Sequence, residues 1–221
     1  MTTHVIEDTK VSNIPCSSAT GFFYVNTKGK LFLVTYRHVI IDENKNHYPD
    51  ILRLYLHIDS NDLTKTNSFD INLYDKLSRR WNEPHTANTD LVALPILEEF
   101  NENDSWLSSF SEEHILPVGE KLAAGQDVLI MGYPLGMWYD AKNNLPVVRS
   151  GIVSSAYPVP YNGNPYFFVD SRLHRGMSGA PVITKPPNRL IKRESLSKRH
   201  VKKVSSLLET FMIHGETIVF Y

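Results

Sequence analysis

The sequence is poor in cysteine: Cys16 is the only one among 221 residues. No disulfide can form within the chain, so stability has to come from packing, as is usual in a reducing compartment. The first ten residues, MTTHVIEDTK, lack the basic stretch and apolar core of a secretory signal peptide. We therefore expect a cytoplasmic protein.

The chain also lacks long apolar runs and an excess of charge of one sign. No uninterrupted apolar stretch reaches about 18 residues, so we expect no membrane partner. With 23 basic and 24 acidic residues the formal net charge is -1, which argues against disorder and against a general attraction to nucleic acid. The hydrophobic fraction of 42% is enough for a sizeable core, so we expect one globular unit.

Short apolar runs rich in aromatic and β-branched residues recur along the chain, which is typical of an all-β barrel or sandwich. The first two are separated by a Thr-Lys-Gly turn and predict a hairpin between residues 17 and 36. The acidic, serine-rich segment 97–118 interrupts the series, and we place the junction of two sub-domains there. The remaining predicted strands are ILRLYLHI (51–58), DINLYD (70–75), LVALPI (91–96), DVLIMGY (127–133), VVRSGIVSSAY (147–157) and YFFVD (166–170).

Residues 176–182, GMSGAPV, form the strongest local motif. A nucleophilic serine needs backbone N–H groups aimed at the developing oxyanion. Gly176 would let the chain turn so that its N–H and that of Ser178 converge. An ordinary turn between strands also produces Gly-x-Ser-Gly. The motif alone therefore leaves both a catalytic serine and a simple turn open.

A serine hydroxyl is a poor nucleophile at neutral pH, so a base is required. His38 follows the apolar run LFLVTY and opens the segment RHVI, a short turn that would hold the imidazole at the edge of a barrel. His174 lies four residues before Ser178, too close to reach the hydroxyl from the right side, and is interpreted as a substrate-pocket residue. The other histidines lie in settings that favour a structural role: His4, His47, His57, His85, His114, His200 and His214.

The third group must be a buried carboxylate that fixes the tautomer of His38 and stabilises its imidazolium form. Asp90 begins the run DLVALP, where an unpaired carboxylate would be costly to desolvate. An aspartate that caps a turn would look the same. The decisive observation is that the three motifs occur together in the order His, Asp, Ser. The sequence therefore predicts a catalytic triad.

These motifs resemble the trypsin-like serine peptidases, and among them the bacterial HtrA-like branch, here without a PDZ domain. The resemblance covers about residues 17 to 183. It is carried by TGFFY before LVTYRHVI, by VLIMGYPLG before SGIVS, and by the spacing from Asp170 to Ser178. It implies an all-β fold of two antiparallel six-stranded β-barrels, residues 1–116 and 117–221, with the active site in the cleft between them.

The same resemblance implies hydrolysis of peptide bonds in a polypeptide substrate through an acyl-enzyme. The backbone N–H groups of Gly176 and Ser178 would form the oxyanion hole, and no metal or organic cofactor is implied. Met177 replaces the aspartate that pairs with a newly cut amino terminus in secreted members, so we expect no activation by that route.

The resemblance also assigns Arg172, His174 and Arg175 to the substrate pocket. Arg172 occupies the position at the base of the primary specificity pocket in trypsin-like enzymes. An inward side chain would favour acidic residues at P1, and an outward one would leave an apolar pocket.

The family has a glycine-containing strand after the nucleophile that forms one wall of the primary pocket, whereas here only Gly215 follows Gly179. The final residues ETIVFY resemble a strand that enters this region. A shortened chain, a strand supplied by another chain and a weak peptidase all stay open. We therefore expect an incomplete second barrel. The alternative function is a catalytically weak or inactive binding or regulatory module, with a protein partner that completes or regulates the active site.

Residues 184–205 contain eight lysines and arginines and one acidic residue, Glu194. Such asymmetry can mark a site for nucleic acid or an acidic partner. Residues 195–211 also fit an amphipathic helix with one apolar stripe, which makes a solvated basic face the simpler interpretation. We expect a basic, partly helical insertion at about 184–210 and no nucleic-acid partner.

Overall fold

The computed structural model describes residues 2–8, 15–76, 78–85, 89–96, 107–117, 119–134, 140–164, 166–185 and 219–220. In these ranges helix is confined to the four-residue α1 (Arg37–Ile40) and two 3-10 turns (Glu43–Lys45 and Glu112–His114), and none of these is long and apolar enough to cross a membrane. Strands make up nearly all other regular structure, which confirms the all-β prediction. They are β1 (Thr2–Asp8), β2 (Pro15–Val25), β3 (Leu31–Thr35), β4 (Ile51–His57), β5 (Thr66–Asn72), β6 (Tyr74–Asp75), β7 (Ser78–Arg79), β8 (Val92–Ile96), β9 (Asp127–Gly132), β10 (Val147–Val153), β11 (Val169–Ser171), β12 (Val182–Thr184) and β13 (Val219–Phe220).

The first half of the chain folds into a six-stranded sheet with the order β5-β4-β1-β2-β3-β8, in which every neighbouring pair is antiparallel. Side chains alternate between faces along a strand, so β4 turns Leu52, Leu54 and Leu56 inward, where each is buried. They join Phe23 and Leu33 in the main hydrophobic core. This core also includes residues of β3, which precedes His38, and of β8, which follows Asp90.

The predicted hairpin between residues 17 and 36 is confirmed as β2 and β3, which pair in the register Phe22↔Val34. Its turn is closed by the Asn26 side chain, which accepts hydrogen bonds from the backbone N–H groups of Lys28 and Lys30. Gly29 has φ 75, a left-handed conformation that glycine adopts without steric cost. β1, which pairs with both β2 and β4, was not predicted from the sequence.

The second half forms a five-stranded sheet with the order β11-β10-β9-β12-β13 over a smaller core that includes Leu122, Val128, Val153 and Phe167. One pair differs from the predicted antiparallel barrel: β12 and β13 run parallel, with Val182 opposite Val219. Parallel neighbours cannot be joined by a tight hairpin turn, and in sequence β12 ends at Thr184 whereas β13 begins at Val219. Apart from its first two residues, the predicted basic insertion at 184–210 lies outside the described residues.

The segment between the sheets lies against the first sheet like a short extra strand. The Phe110 N–H donates to the Phe23 carbonyl, and the Phe110 carbonyl accepts from the Val25 N–H, both at 2.8 Å. The Phe110 ring meets the Phe22 ring edge-on at 5.6 Å, and Ile183 of β12 joins the same apolar cluster. The two sheets therefore pack against each other beside the connecting segment. The domain boundary at residue 116 stays a prediction.

Candidate active site

His38 lies in α1, directly after β3. The neighbouring Val39 and Ile40 are buried and anchor this short turn, while the His38 side chain is 38% exposed. β3 pairs with β8 in the register Thr35↔Val92, so the residues just after β3 lie opposite those just before β8. Strand register therefore brings His38 next to Asp90.

Both carboxylate oxygens of Asp90 bind His38. Oδ2 lies 2.5 Å from Nδ1 of the imidazole, and Oδ1 accepts the His38 backbone N–H at 3.0 Å. With the proton on Nδ1, the other ring nitrogen, Nε2, is left to act as a base. Two hydrogen bonds to one carboxylate fix both the position of the turn and the orientation of the ring.

The pair shifts the pKa values of both partners towards the ionised forms. The hydrogen bond to Asp90 raises the pKa of His38 above 6.5, and partial desolvation opposes it. Burial works to raise the pKa of Asp90, but the hydrogen bonds from the His38 side chain and backbone outweigh it and lower that pKa. The Asp90 side chain is 51% exposed, so the expectation of a buried acid was wrong. Hydrogen bonds from His38 keep this carboxylate ionised against the partial burial that acts in the opposite direction.

Ser178 lies in the loop between β11 and β12. Two glycines flank it with left-handed backbones, Gly176 with φ 91 and Gly179 with φ 85. The loop is closed by N–H donation from Met177 to the His174 carbonyl and from Ala180 to the Met177 carbonyl. The glycine spacing that suggested a catalytic loop thus corresponds to two positions where other residues would be strained.

The loop is bound to the first sheet through Thr20 of β2. The Thr20 N–H donates to the Ser178 carbonyl at 2.8 Å, and the Thr20 hydroxyl donates to the Gly176 carbonyl, also at 2.8 Å. In the described part of the chain Ser178 Oγ and His38 Nε2 form no hydrogen bond. Such contacts are often long before substrate binds. Two members of the predicted triad are joined directly, and the third is anchored to the same sheet.

The residues assigned to the substrate pocket lie on the strand-to-loop segment before Ser178. Arg172 and Arg175 are exposed, and His174 is partly buried. Their role in a pocket stays a prediction, as do the oxyanion role of the Gly176 N–H and the catalytic roles of the triad. Among the described residues, no group of three or more His, Cys, Asp or Glu side chains is placed to hold a metal.

Thr20 and Thr35 were missed by sequence reasoning. Both are buried polar residues, and the Thr35 hydroxyl donates to the Thr20 carbonyl at 2.8 Å. Threonine is common in strands because it is β-branched, so neither position stands out from the sequence. Their burial next to glycines is visible only once the sheets are packed.

The chain has two packed β-sheets, a His–Asp pair at the edge of one and a Gly-x-Ser-Gly loop in the other. These features are those of a trypsin-like fold. Residues 19–191 match the model of the family described as Trypsin-like peptidase domain, and the chain belongs to this family.

Among solved structures, the chain is similar to the MamO protease domain from Magnetospirillum magneticum in its apo form. The two are 14% identical with a TM-score of 0.44, over 82% of this chain and 77% of that chain. A search of curated proteins found no match.

Proposed function

We propose that this protein is a serine endopeptidase with Ser178 as nucleophile, His38 as general base and Asp90 as the residue that orients His38. The observation that carries the proposal is the pair of hydrogen bonds that the Asp90 carboxylate accepts from the ring and the backbone N–H of His38. A role as a solvated surface aspartate does not account for both hydrogen bonds. Orientation of a base accounts for them, because His38 must keep one tautomer and one ring orientation.

In this mechanism Ser178 Oγ attacks the scissile carbonyl while its proton passes to His38 Nε2. Asp90 stabilises the imidazolium, which then protonates the leaving amine as the acyl-enzyme forms. Water, deprotonated by the same imidazole, hydrolyses the acyl-enzyme and restores the Ser178 hydroxyl. The N–H groups of Gly176 and Ser178 would receive the negative charge on the carbonyl oxygen.

The substrate would be a polypeptide, handled in the cytoplasm by an enzyme with HtrA-like motifs. The exposure of Arg172 supports the outward orientation of its side chain and therefore an apolar primary pocket. We expect cleavage after apolar residues rather than after aspartate or glutamate. Digestion of a peptide library, followed by mass spectrometry of the fragments, measures this preference.

A fluorophosphonate probe tests the nucleophile directly, because it reacts with activated serine hydroxyls. We expect the folded wild-type protein to be labelled and Ser178→Ala to be unlabelled. Ser154→Ala removes an exposed serine after β10 and should label as the wild type does. Failure of the wild type to react, or equal labelling of Ser178→Ala, would contradict the assignment.

The second candidate is a trypsin-fold binding or regulatory module whose site is completed or regulated by a protein partner. It is favoured by the lack, among the described residues, of a hydrogen bond between Ser178 and His38. It is also favoured by the strand count of the described residues, which form five strands in the second sheet against six in the first. A peptide that binds and stays intact over hours would support this module. Cleavage by the isolated chain would rule it out.

A further inference from the structure

Thr20 is a fully buried polar residue of β2, with a relative exposure of 0%. Its backbone N–H donates to the Ser178 carbonyl at 2.8 Å. Its hydroxyl donates to the Gly176 carbonyl at 2.8 Å and accepts the backbone N–H of Tyr133 at 3.0 Å. One residue of the first sheet therefore binds the nucleophile loop twice and also binds the end of β9.

The two anchored carbonyls lie on either side of the peptide group that joins Met177 to Ser178. That peptide group carries the Ser178 N–H and leads directly into the Cα of Ser178. A peptide group is planar, so fixing the carbonyls before and after it restricts the group between them. The contacts of Thr20 thus restrict the direction of the Ser178 N–H and of the Cα–Cβ bond from which the hydroxyl projects.

The hydroxyl of Thr20 cannot be replaced by an apolar group of the same shape. One oxygen donates to one buried group and accepts from another, which a hydroxyl can do and a methyl cannot. A valine would leave the Gly176 carbonyl and the Tyr133 N–H without this partner in a buried place, which is costly. Serine keeps the hydroxyl and loses only a methyl group.

Thr35 of β3 holds Thr20 in turn. Its hydroxyl donates to the Thr20 carbonyl at 2.8 Å, and the Thr35 side chain is also buried. Gly179 approaches this pair so closely that an added Cβ would lie 2.1 Å from the Thr20 carbonyl oxygen and 2.5 Å from Thr35 Oγ1. The loop after the nucleophile therefore packs directly on the two threonines.

We propose that Thr20, supported by Thr35, is a positioning residue that holds the Ser178 loop in its reactive geometry. This inference rests on the proposed peptidase function. The contact crosses from the first sheet, which carries His38 and Asp90, to the loop of the second. Thr20 thereby sets the position of the nucleophile relative to its base.

The test compares Thr20→Val with Thr20→Ser, and uses Thr184→Val as a matched exchange at another buried threonine, on β12. For Thr20→Val we expect the rate of fluorophosphonate labelling and kcat to fall roughly 10- to 100-fold, with KM little changed, because the loop is displaced rather than the substrate site. Thr20→Ser should recover most of the rate. Near wild-type labelling of folded Thr20→Val, or no recovery in Thr20→Ser, would overturn the proposal.

Amide hydrogen exchange gives a readout that does not need catalysis. In Thr20→Val the N–H groups of Tyr133, Met177 and Ala180 should exchange faster, and Thr20→Ser should restore their protection. A further outcome is that the wild type fails to label while Thr20→Val still speeds the exchange of these N–H groups. That result would refute the peptidase function and leave the anchoring of the loop by Thr20 standing. Unchanged exchange in Thr20→Val would refute the anchoring itself.

If Thr20→Val does not fold, Thr35→Val provides the second test, since it removes one donor to the Thr20 carbonyl and leaves both loop contacts of Thr20 possible. We expect labelling to slow about 3- to 10-fold, again because the loop is displaced by a fraction of an ångström. Thr35→Ser should restore the rate. An unchanged rate in folded Thr35→Val would overturn the proposal.

Discussion

Asp90 fixes the ring of His38 through one backbone and one side-chain hydrogen bond. In Asp90→Asn the amide cannot hold the imidazole in the tautomer that leaves Nε2 as a base. We expect the labelling rate at Ser178 to fall by about 10⁴-fold, the loss known for the same exchange in a Ser-His-Asp triad. Circular dichroism would confirm that the variant is folded. A wild-type rate in folded Asp90→Asn would refute the role of this carboxylate.

The pH dependence of labelling tests the same pair independently. The hydrogen bond to Asp90 raises the pKa of His38 above 6.5, and only the neutral imidazole can accept the Ser178 proton. The rate should therefore rise with pH through a midpoint above 6.5. In Asp90→Asn the midpoint should move to lower pH even though the maximal rate is smaller. A midpoint unaffected by this substitution would show that another group controls the titration.

The backbone conformation at Gly179 predicts that alanine is destabilising there. Alanine would be strained at φ 85, and its Cβ would lie 2.1 Å from the Thr20 carbonyl oxygen. Gly163 has φ 75 with nothing within 4 Å of a Cβ, so Gly163→Ala should lose only about 1 to 2 kcal/mol of unfolding free energy for the conformation. Gly179→Ala should lose clearly more and also lose labelling. Equal urea-unfolding curves for the two variants would contradict this close approach.

Among the elements, the regular strands of the first sheet were the easiest to predict. The run ILRLYLH alternates buried and partly exposed positions and forms β4, and VALPI does the same in β8. β1 was overlooked because THVIED has only two adjacent apolar residues and no period of two, although it pairs on both sides. Its place depends on partners distant in sequence. The parallel pairing of β12 with β13 was hidden for the same reason.

Phe110 connects the segment 107–117 to the first sheet through both its backbone and its ring. Phe110 bonds through its backbone to β2 and packs edge-on against Phe22. Phe110→Ala keeps the backbone contacts and loses the ring, so we expect the unfolding free energy to fall by about 2 kcal/mol, less than for a fully buried phenylalanine. Phe168→Ala removes a ring that is 47% exposed and packs against Tyr161 and Tyr166, and it should cost less than Phe110→Ala. Urea denaturation measures both, and equal losses would show that the ring of Phe110 is not part of the interface.

At the scale of the whole molecule, the sequence indicated candidate residues more readily than the contacts that support them. Motif order led to the hypothesis of a triad of His38, Asp90 and Ser178, because each candidate has recognisable neighbours in the chain. The bond from Thr20 to Gly176 joins residues 156 positions apart, and no local pattern announces it. The exposure of Asp90 was also misjudged, because an apolar stretch after a residue does not determine whether that residue itself is buried.

The distribution of charge over the whole fold predicts its response to acid. Most carboxylates with shifted pKa values are lowered by paired cations or hydrogen bonds, whereas burial raises the pKa of Glu112. The lowered set comprises Asp42, Glu43, Asp59, Asp62, Asp70, Glu83, Asp90 and Asp140. A carboxylate with a lower pKa in the folded state than in the unfolded state binds protons more readily once unfolded. Its contribution to stability is therefore present above the unfolded value and is lost as pH falls.

Among these carboxylates, Glu43 has the widest pH range between its unfolded and folded pKa values. The hydrogen bonds from Arg37 lower its pKa from 4.5 to about 2. The unfolding free energy should decrease between about pH 4.5 and pH 2, and Glu43→Gln should make the decrease shallower. Urea titrations at several pH values measure the slope. Glu113→Gln provides a control that removes an exposed carboxylate and leaves the Arg37–Glu43 pair in place. Parallel curves for wild type and Glu43→Gln would show that the Arg37–Glu43 pair does not lower the pKa of Glu43 on folding.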